Sequence, residues 1–388
     1  MINMELIYLD HAATTPIRSE VMEAMLPYLT DKFGNASSIY GWGRQARKAL
    51  DDARASVAEI IGADFNEIVF TSSGTESDNM AIKGAAWEYR NKGRHIITSS
   101  IEHPGVLNTM KSLEKEGYEV TYLPVNAQGL ICVDDFKQAL RDDTILVSIM
   151  HANNEVGTIQ PIAAIGQIAH EHGIIMHTDA VQTAGALEVD VNELNVDLLS
   201  FSAHKFYGPK GVGALYIRKG IRLVPLIHGG NQERRRRAGT ENTAGIVGLA
   251  AALELADKER PEFTGKMIHL RDKLIDGILK IPHTRLNGSR TQRLPNNVSV
   301  CFEFIEGESL LLNLDMQGIA GSSGSACTSG SLEPSHVLLA LGLKHEIAHG
   351  SLRLTLGKDN TEAEIDYVLK ALEPIVHRLR EMSPLYHS

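Results

Sequence analysis

From about residue 50 to residue 220, short apolar runs alternate with amphipathic stretches, and the runs stop on polar residues. "EIVFTSSGTESDNMAIKGAAWEY" reads as strand, turn and helix, while "RHIITSSIEHP", "TILVSIMHANNE", "GIIMHTDAVQ", "DLLSFSAHK" and "GALYIRK" read as buried strands with polar ends. A strand that is apolar on both faces must be covered on both faces, the condition of a mainly parallel sheet sandwiched by helices. The expected fold class is therefore α/β. In such sheets ligands collect beyond the carboxyl ends of the strands, where these polar residues fall.

After "NTAGIVGLAAALELADKER", a long helical pattern, the rhythm changes near residue 260. "NNVSVCFEF" alternates like a half-buried strand, "SLRLTLG" is a second, and "TEAEIDYVLKALEPIVHRLREM" reads as a closing amphipathic helix interrupted by Pro374. A chain of 388 residues is too long for one core. The expected division is a large domain over 16–260 and a smaller α/β domain formed by 1–15 and 261–388.

A hydrophobic content of 43% and a charged content of 22% suit a soluble globular protein. No apolar stretch is long enough to cross a bilayer, and the N-terminus lacks a basic region followed by an apolar run, so a cytoplasmic location is expected. A net charge of -10 disfavours nucleic acid as a direct partner, because neutralising phosphates needs a basic face. Three widely spaced cysteines without a CxxC argue against a disulfide framework and against an all-cysteine zinc site, and no metal is expected.

Three strand ends carry chemistry. In "TSSGTESDN" a strand ends at Phe70 and a helix starts near Glu76, so Gly74 and Thr75 offer backbone N–H groups and a hydroxyl to a phosphate; plain N-capping accounts for the same residues. In "HTDAVQ", Asp179 follows an apolar run, and a carboxylate at that depth needs a cation, several hydrogen bonds or a proton. "SFSAHKFYGPKG" sets Lys205 after another buried strand, where a desolvated amine serves as nucleophile and proton carrier, or where a structural lysine sits in a salt bridge. Together, a phosphate cradle, a strand-end Asp and a strand-end Lys are the parts that pyridoxal 5'-phosphate requires.

At this point the sequence resembles a known family, the cysteine desulfurases of the NifS/IscS-like group, which are class V aminotransferase-like, fold-type-I pyridoxal-phosphate enzymes. The resemblance runs almost end to end through "YLDHAATTP", "FGNASS", "TSSGTESDN", "SSIEHPGVL", "MHANNEVGTIQP", "HTDAVQTAG", "SAHKFYGPKGVGALY", "RRRRAGTEN", "SSGSACTSG", "PSHVL" and "SLRLTLG". It implies a large domain with a seven-stranded, mainly parallel sheet. By the same resemblance Lys205 forms the Schiff base with the cofactor, Asp179 pairs with the pyridine nitrogen, and His103 stacks on the ring and moves protons. Asn154 and Gln182 are implied at the ring hydroxyl, and Gly74, Thr75, Ser202 and His204 at the phosphate. Thr240 matches a threonine that reaches the phosphate in the neighbouring subunit, which implies a homodimer. Arg353 matches the residue that grips the carboxylate of the L-cysteine substrate, a task suited to a planar guanidinium, and Asn35 is implied nearby. Ala36 stands where the family usually has Pro. The arginine run Arg234 to Arg237 is either a solvated face or, through Arg237, part of the site's rim.

Cys132 and Cys301 sit among apolar residues and are expected to be buried and inert. Cys327, in "GSSGSACTSG", has no packing neighbours, and the resemblance makes it the nucleophile that takes sulfur from cysteine as a persulfide, leaving alanine. Only a thiolate can attack, and glycines at 321, 324 and 330 ease the motion of such an arm. The sulfur is then expected to pass to an acceptor protein, an iron-sulfur scaffold or a tRNA thiolase. The other readings are a selenocysteine lyase or another class V aminotransferase-like enzyme, and a sulfur-relay scaffold without turnover. Cys327 counts against a transaminase, and Lys205 with Asp179 against a scaffold.

Overall fold

The computed structural model describes residues 6–323 and 334–386. Strand β1 (Ile7–Tyr8) lies apart from a central seven-stranded sheet. That sheet is built from β2 (Ile68–Thr71), β3 (His95–Ser99), β4 (Glu119–Leu123), β5 (Thr144–Ser148), β6 (Ile175–Asp179), β7 (Leu198–Ser202) and β8 (Gly213–Ile217). Its order is β2-β8-β7-β6-β5-β3-β4. Strand β8 is antiparallel to both neighbours, and all the other strands run in one direction. The mainly parallel sheet expected from the sequence is present.

Six strands are buried along their whole length, as continuous apolar runs demand. The edge strand β4 is half exposed and mixed in composition, so the sequence carries no such run there. Successive residues feed opposite faces of the sheet. Phe70, Val147 and Leu199 join a core with helices α1 (Ser19–Leu29) and α2 (Gly41–Ile60), whereas Val69, Leu146 and Leu198 join one with α3 (Gly74–Tyr89) and α4 (Pro104–Lys115). Helices α5 (Val133–Ala139), α6 (Ile162–Glu171) and the first half of α7 (Thr243–Ile278) complete the first face. Each fully buried Leu, Val or Phe contributes roughly 1.5–3 kcal/mol.

The change of rhythm near residue 260 falls inside α7, which continues through Pro261 to Ile278. Its second half, with Met267, Leu270 and Leu274, packs on a second core beneath the antiparallel strands β9 (Thr284–Leu286) and β10 (Asn297–Phe302). Strand β11 (Ile319–Ala320) pairs in parallel with β1, and β12 (Ser351–Thr355) pairs with β10. The closing helix, Glu362–Glu381, is continuous and is not interrupted at Pro374. Buried Leu372, Ile375 and Val376 hold it through the proline, so packing outweighs the lost hydrogen bond. No helix among the described residues is long and apolar enough to cross a membrane.

Candidate active site

Each of four strands that run in the same direction, β2, β3, β6 and β7, delivers one piece of the site at or just beyond its carboxyl end. After β2, Ser73 caps α3 by accepting from the Glu76 N–H at 3.1 Å. The amides of Gly74 and Thr75 therefore lie in the first turn, where no helical acceptor exists for them. A Cβ at Gly74 would come within 2.5 Å of Val181 Cγ2, so only glycine fits this approach. After β3, His103 caps α4, its Nδ1 accepting from the Gly105 N–H at 3.0 Å. The neutral ring then carries its proton on Nε2.

Asp179 ends β6, and its Oδ1 accepts from the Val181 N–H at 2.8 Å. Gln182 donates from Nε2 to the Ala12 carbonyl at 3.1 Å. Just past β7, Lys205 Nζ donates to the same Ala12 carbonyl and to that of Ala13, at 2.9 Å for the latter. Segment 10–15 thus lies over the lysine. His204 Nδ1 is 3.2 Å from the Thr14 hydroxyl, and Ser202 is buried with its hydroxyl 3.4 Å from the Val212 carbonyl.

The electrostatics tie these pieces together. Burial raises the Asp179 carboxyl above the usual range, while His103 and Lys205 pull it the other way. Burial lowers His103, with Asp179 opposing and Lys205 assisting, so its imidazole is neutral at pH 7. His204 is pushed down to about 4 by burial, with Lys205 and Lys210 adding to the effect. Behind Asp179, burial and the Asp179 charge raise Asp78 well above its ordinary value. Its Oδ1 lies 3.7 Å from Nε2 of His177, itself lowered by burial to about 3. Burial thus works against the charged form of both groups, pushing the acid up and the imidazole down.

Glu102, next to His103, accepts from the Ser99 hydroxyl at 2.5 Å and from the Met150 N–H at 3.0 Å, and burial raises it from 4.5 to about 8. Between those values the folded protein holds a proton that the unfolded chain has released, so this group makes stability fall as pH rises from about 4.5 to about 8. Glu102→Gln is expected to remove a fall of at most about 1.4 kcal/mol per pH unit. Chemical denaturation midpoints at pH 6 and pH 8 check this. Equal shifts in both proteins would contradict it.

Arg353, in β12, is buried, with Nη2 paired to Asp10 Oδ1 at 2.9 Å and Nη1 donating to the Asn154 carbonyl at 3.2 Å. Its Nε is buried without a hydrogen-bond partner among the described residues. The small core and the large sheet thus meet at Asp10, Asn154 and Arg353. Cys327 lies outside the described residues. The chain on either side of it is pinned to this site: Ser322 exchanges backbone hydrogen bonds with Arg353, Ser335 donates to Glu155, and His336 Nε2 meets the Glu102 carbonyl at 3.1 Å.

Two expected residues are not gathered with Lys205. Asn35 and Thr240 are both exposed, and they belong to loops joined through Arg47, which pairs with Glu241 at 3.0 Å and donates to the Ala36 carbonyl at 3.3 Å. Arg237 does reach the rim, pairing at 2.8 Å with Glu76 in the first turn of α3. Cys301 is buried beside Asn287, its thiol raised to about 11 by burial. Cys132 is exposed, contrary to the expectation from its apolar neighbours, because it sits at the mouth of α5 where the chain leaves the core. Asp10, Asp78, Glu102 and Glu155 have no role assigned from the sequence, although "YLDHAATTP", "ESDN", "IEHP" and "MHANNEVGTIQP" contain them.

The model of aminotransferase class-V matches residues 7–368. The chain belongs to the class-V aminotransferase family. Within this family a "Cysteine desulfurase IscS" of Methanosarcina thermophila is 61% identical, the match covering 98% of this chain and 94% of that protein. A solved NifS-like protein is 42% identical with a TM-score of 0.91, covering 96% of this chain and 100% of that one. A solved structure described as SspA in complex with cysteine is 41% identical with a TM-score of 0.80, covering 90% and 98%.

Class-V enzymes of this kind work with pyridoxal 5'-phosphate, and the residues present fit it. Asp179 is a buried carboxylate whose Oδ1 accepts from one N–H and whose burial raises it against the pull of His103 and Lys205, and a protonated pyridine nitrogen fits such a group. The amides at the start of α3, beside a glycine with no room for a Cβ, fit an anion.

Proposed function

We infer that the chain is a pyridoxal-phosphate-dependent cysteine desulfurase that converts L-cysteine to L-alanine and collects the sulfur on Cys327. The observation that carries this reading is the convergence of Lys205, Asp179 and His103 at the carboxyl ends of β7, β6 and β3, in one electrostatic neighbourhood. When bound, pyridoxal phosphate supplies the sink for the electron pair left on Cα. Lys205 holds the cofactor and then takes and returns the Cα proton, its Nζ kept in place by the Ala12 and Ala13 carbonyls. Asp179 holds the proton on the pyridine nitrogen. His103, neutral and with Nε2 as its donor, stacks on the ring and passes protons. Gly74, Thr75, Ser202 and His204 hold the phosphate; Asn154 and Gln182 contact the ring hydroxyl.

Arg353 orients the substrate carboxylate, a task suited to its planar guanidinium, which Asp10 and the Asn154 carbonyl hold in place. Cys327 attacks the substrate sulfur as thiolate, and the pinned flanks of its segment at Arg353, Glu155 and Glu102 support its delivery to the site. An iron-sulfur scaffold or a tRNA thiolase receives the sulfur. The names of the relatives and the neighbour solved with cysteine favour this substrate over selenocysteine.

The functional unit is a homodimer in which Thr240 serves the partner's cofactor phosphate and Asn35 lies near the substrate. Exposed Phe33 and Trp42, their rings 5.6 Å apart, and exposed Ile39 form an apolar surface beside those loops that a second copy would cover. We assign 16–260 to the cofactor domain and 1–15 with 261–388 to the small domain, supported by the separate cores on the two halves of α7. Purified protein given L-cysteine and a thiol reductant is expected to yield alanine and sulfide in equal amounts. Consumption of an oxo acid without sulfide release would refute the reading.

A further inference from the structure

The arginine run sits in a loop whose backbone is unusual. Glu233, Arg234 and Arg235 have φ of 44°, 55° and 66°, three consecutive side-chain-bearing residues in the left-handed region. Such conformations persist only where the surroundings over-determine them. Here the determinant is a buried ion pair. The Glu233 carboxylate accepts from Arg54 Nη1 at 2.8 Å and Nη2 at 2.7 Å, and also from the Phe70 N–H at 3.0 Å. Arg54, on α2, donates in addition to the Ile68 carbonyl at 2.7 Å and lies 4.7 Å over the Phe70 ring. Both side chains are 3% exposed.

The rest of the loop is strapped to the same subunit. Arg236 donates to the Asn66 carbonyl at 2.8 Å, and Arg237 pairs with Glu76. Arg234 and Arg235 are exposed at the strained turn, and Gly239 and Thr240 stand exposed at the far end, where Arg47 joins Glu241 to the Ala36 carbonyl of the stretch that bears Phe33, Ile39 and Trp42. A buried ion pair is a poor source of net stability and a good means of fixing one conformation among several. A loop already fixed loses no ordering entropy when a second chain arrives.

We propose that the Arg54–Glu233 pair is a positioning device that acts across the subunit boundary, locking the strained loop so that Thr240 is presented, pre-ordered, to the cofactor phosphate of the second copy. The inference rests on the dimer reading above. Glu233 and Arg54 touch neither substrate nor cofactor.

The test uses mixed dimers with two different affinity tags and reads cofactor retention, not turnover. After dialysis, borohydride fixes the remaining cofactor covalently to Lys205, and the modified Lys205 peptide is counted by mass spectrometry. In a dimer of wild-type chain with a chain carrying both Glu233→Gln and Lys205→Ala, the only lysine-bearing site receives the altered loop, and cofactor loss is expected to be about tenfold faster or more. With Glu233→Gln and Lys205→Ala on opposite chains, the lysine-bearing site receives an intact loop and retention matches wild type. The reverse pattern, or no difference, overturns the proposal. Should Glu233→Gln fail to fold because Arg54 is left as a lone buried charge, Arg54→Met with Glu233→Met removes both charges and is expected to give the same pattern. Thr240→Val in the same arrangements separates the two ideas. If its effect crosses to the other subunit and that of Glu233→Gln does not, the proposal falls and the dimer reading stands. If neither crosses, the dimer reading falls and the proposal with it.

Discussion

Lys205→Ala protein is expected to keep its fold and lose cysteine turnover by about 10³-fold or more, because one amine both holds the cofactor and moves the Cα proton. The loss should be accompanied by disappearance of the yellow absorption that a lysine-bound cofactor gives. The fold should survive because Lys205 is half-buried and belongs to none of the apolar cores, and it donates to two carbonyls of segment 10–15. Far-UV circular dichroism, visible absorption and alanine formation together check the result. An unchanged spectrum with turnover near wild type would remove the cofactor assignment.

Cys327→Ser is expected to separate colour from activity. The yellow absorption should remain, since Lys205, Asp179 and the α3 amides are untouched, while sulfide release falls by at least about 10²-fold, because a hydroxyl at neutral pH does not replace a thiolate as nucleophile toward sulfur. The two other cysteines give no rescue. Cys301 is buried with its thiol raised to about 11, and Cys132 is an exposed residue at the start of α5. Sulfide release by this variant at the wild-type rate would mean that the sulfur leaves without passing through residue 327.

What could be read in advance follows from what makes a signal in one dimension. The central strands are legible because double-faced burial writes a continuous apolar run, and their polar ends mark the site because the chain turns there; Gly74, His103, Asp179 and Lys205 all fall at such ends. The half-buried edge strand β4 writes no such run. Pro261 and Pro374 look like breaks, yet both lie within continuous helices whose buried faces carry the chain past them. Cys132 looks buried because Ile131 and Val133 flank it, whereas only side-chain direction at the helix start decides its exposure.

The acids were the least visible group. Asp10, Asp78, Glu102 and Glu155 differ from surface carboxylates only in what surrounds them: a guanidinium, a buried imidazole, a hydroxyl with a backbone amide, and a serine. Apart from Ser99, three positions from Glu102, those partners come from sequence positions tens to hundreds of residues away. The Arg54–Glu233 pair is of the same kind, joining residues 179 positions apart. No local pattern announces it, and the arginine run beside it reads as ordinary surface until the backbone is seen.

The most direct measurement is a single turnover with ³⁵S-labelled L-cysteine, less than one equivalent per site and without reductant, followed by peptide mapping and alanine analysis. The account predicts alanine in an amount equal to the protein-bound label, with that label on the peptide containing Cys327 and released by a thiol reductant. Alanine formed with the label free in solution from the outset, or carried on the peptides of Cys132 or Cys301, would contradict it.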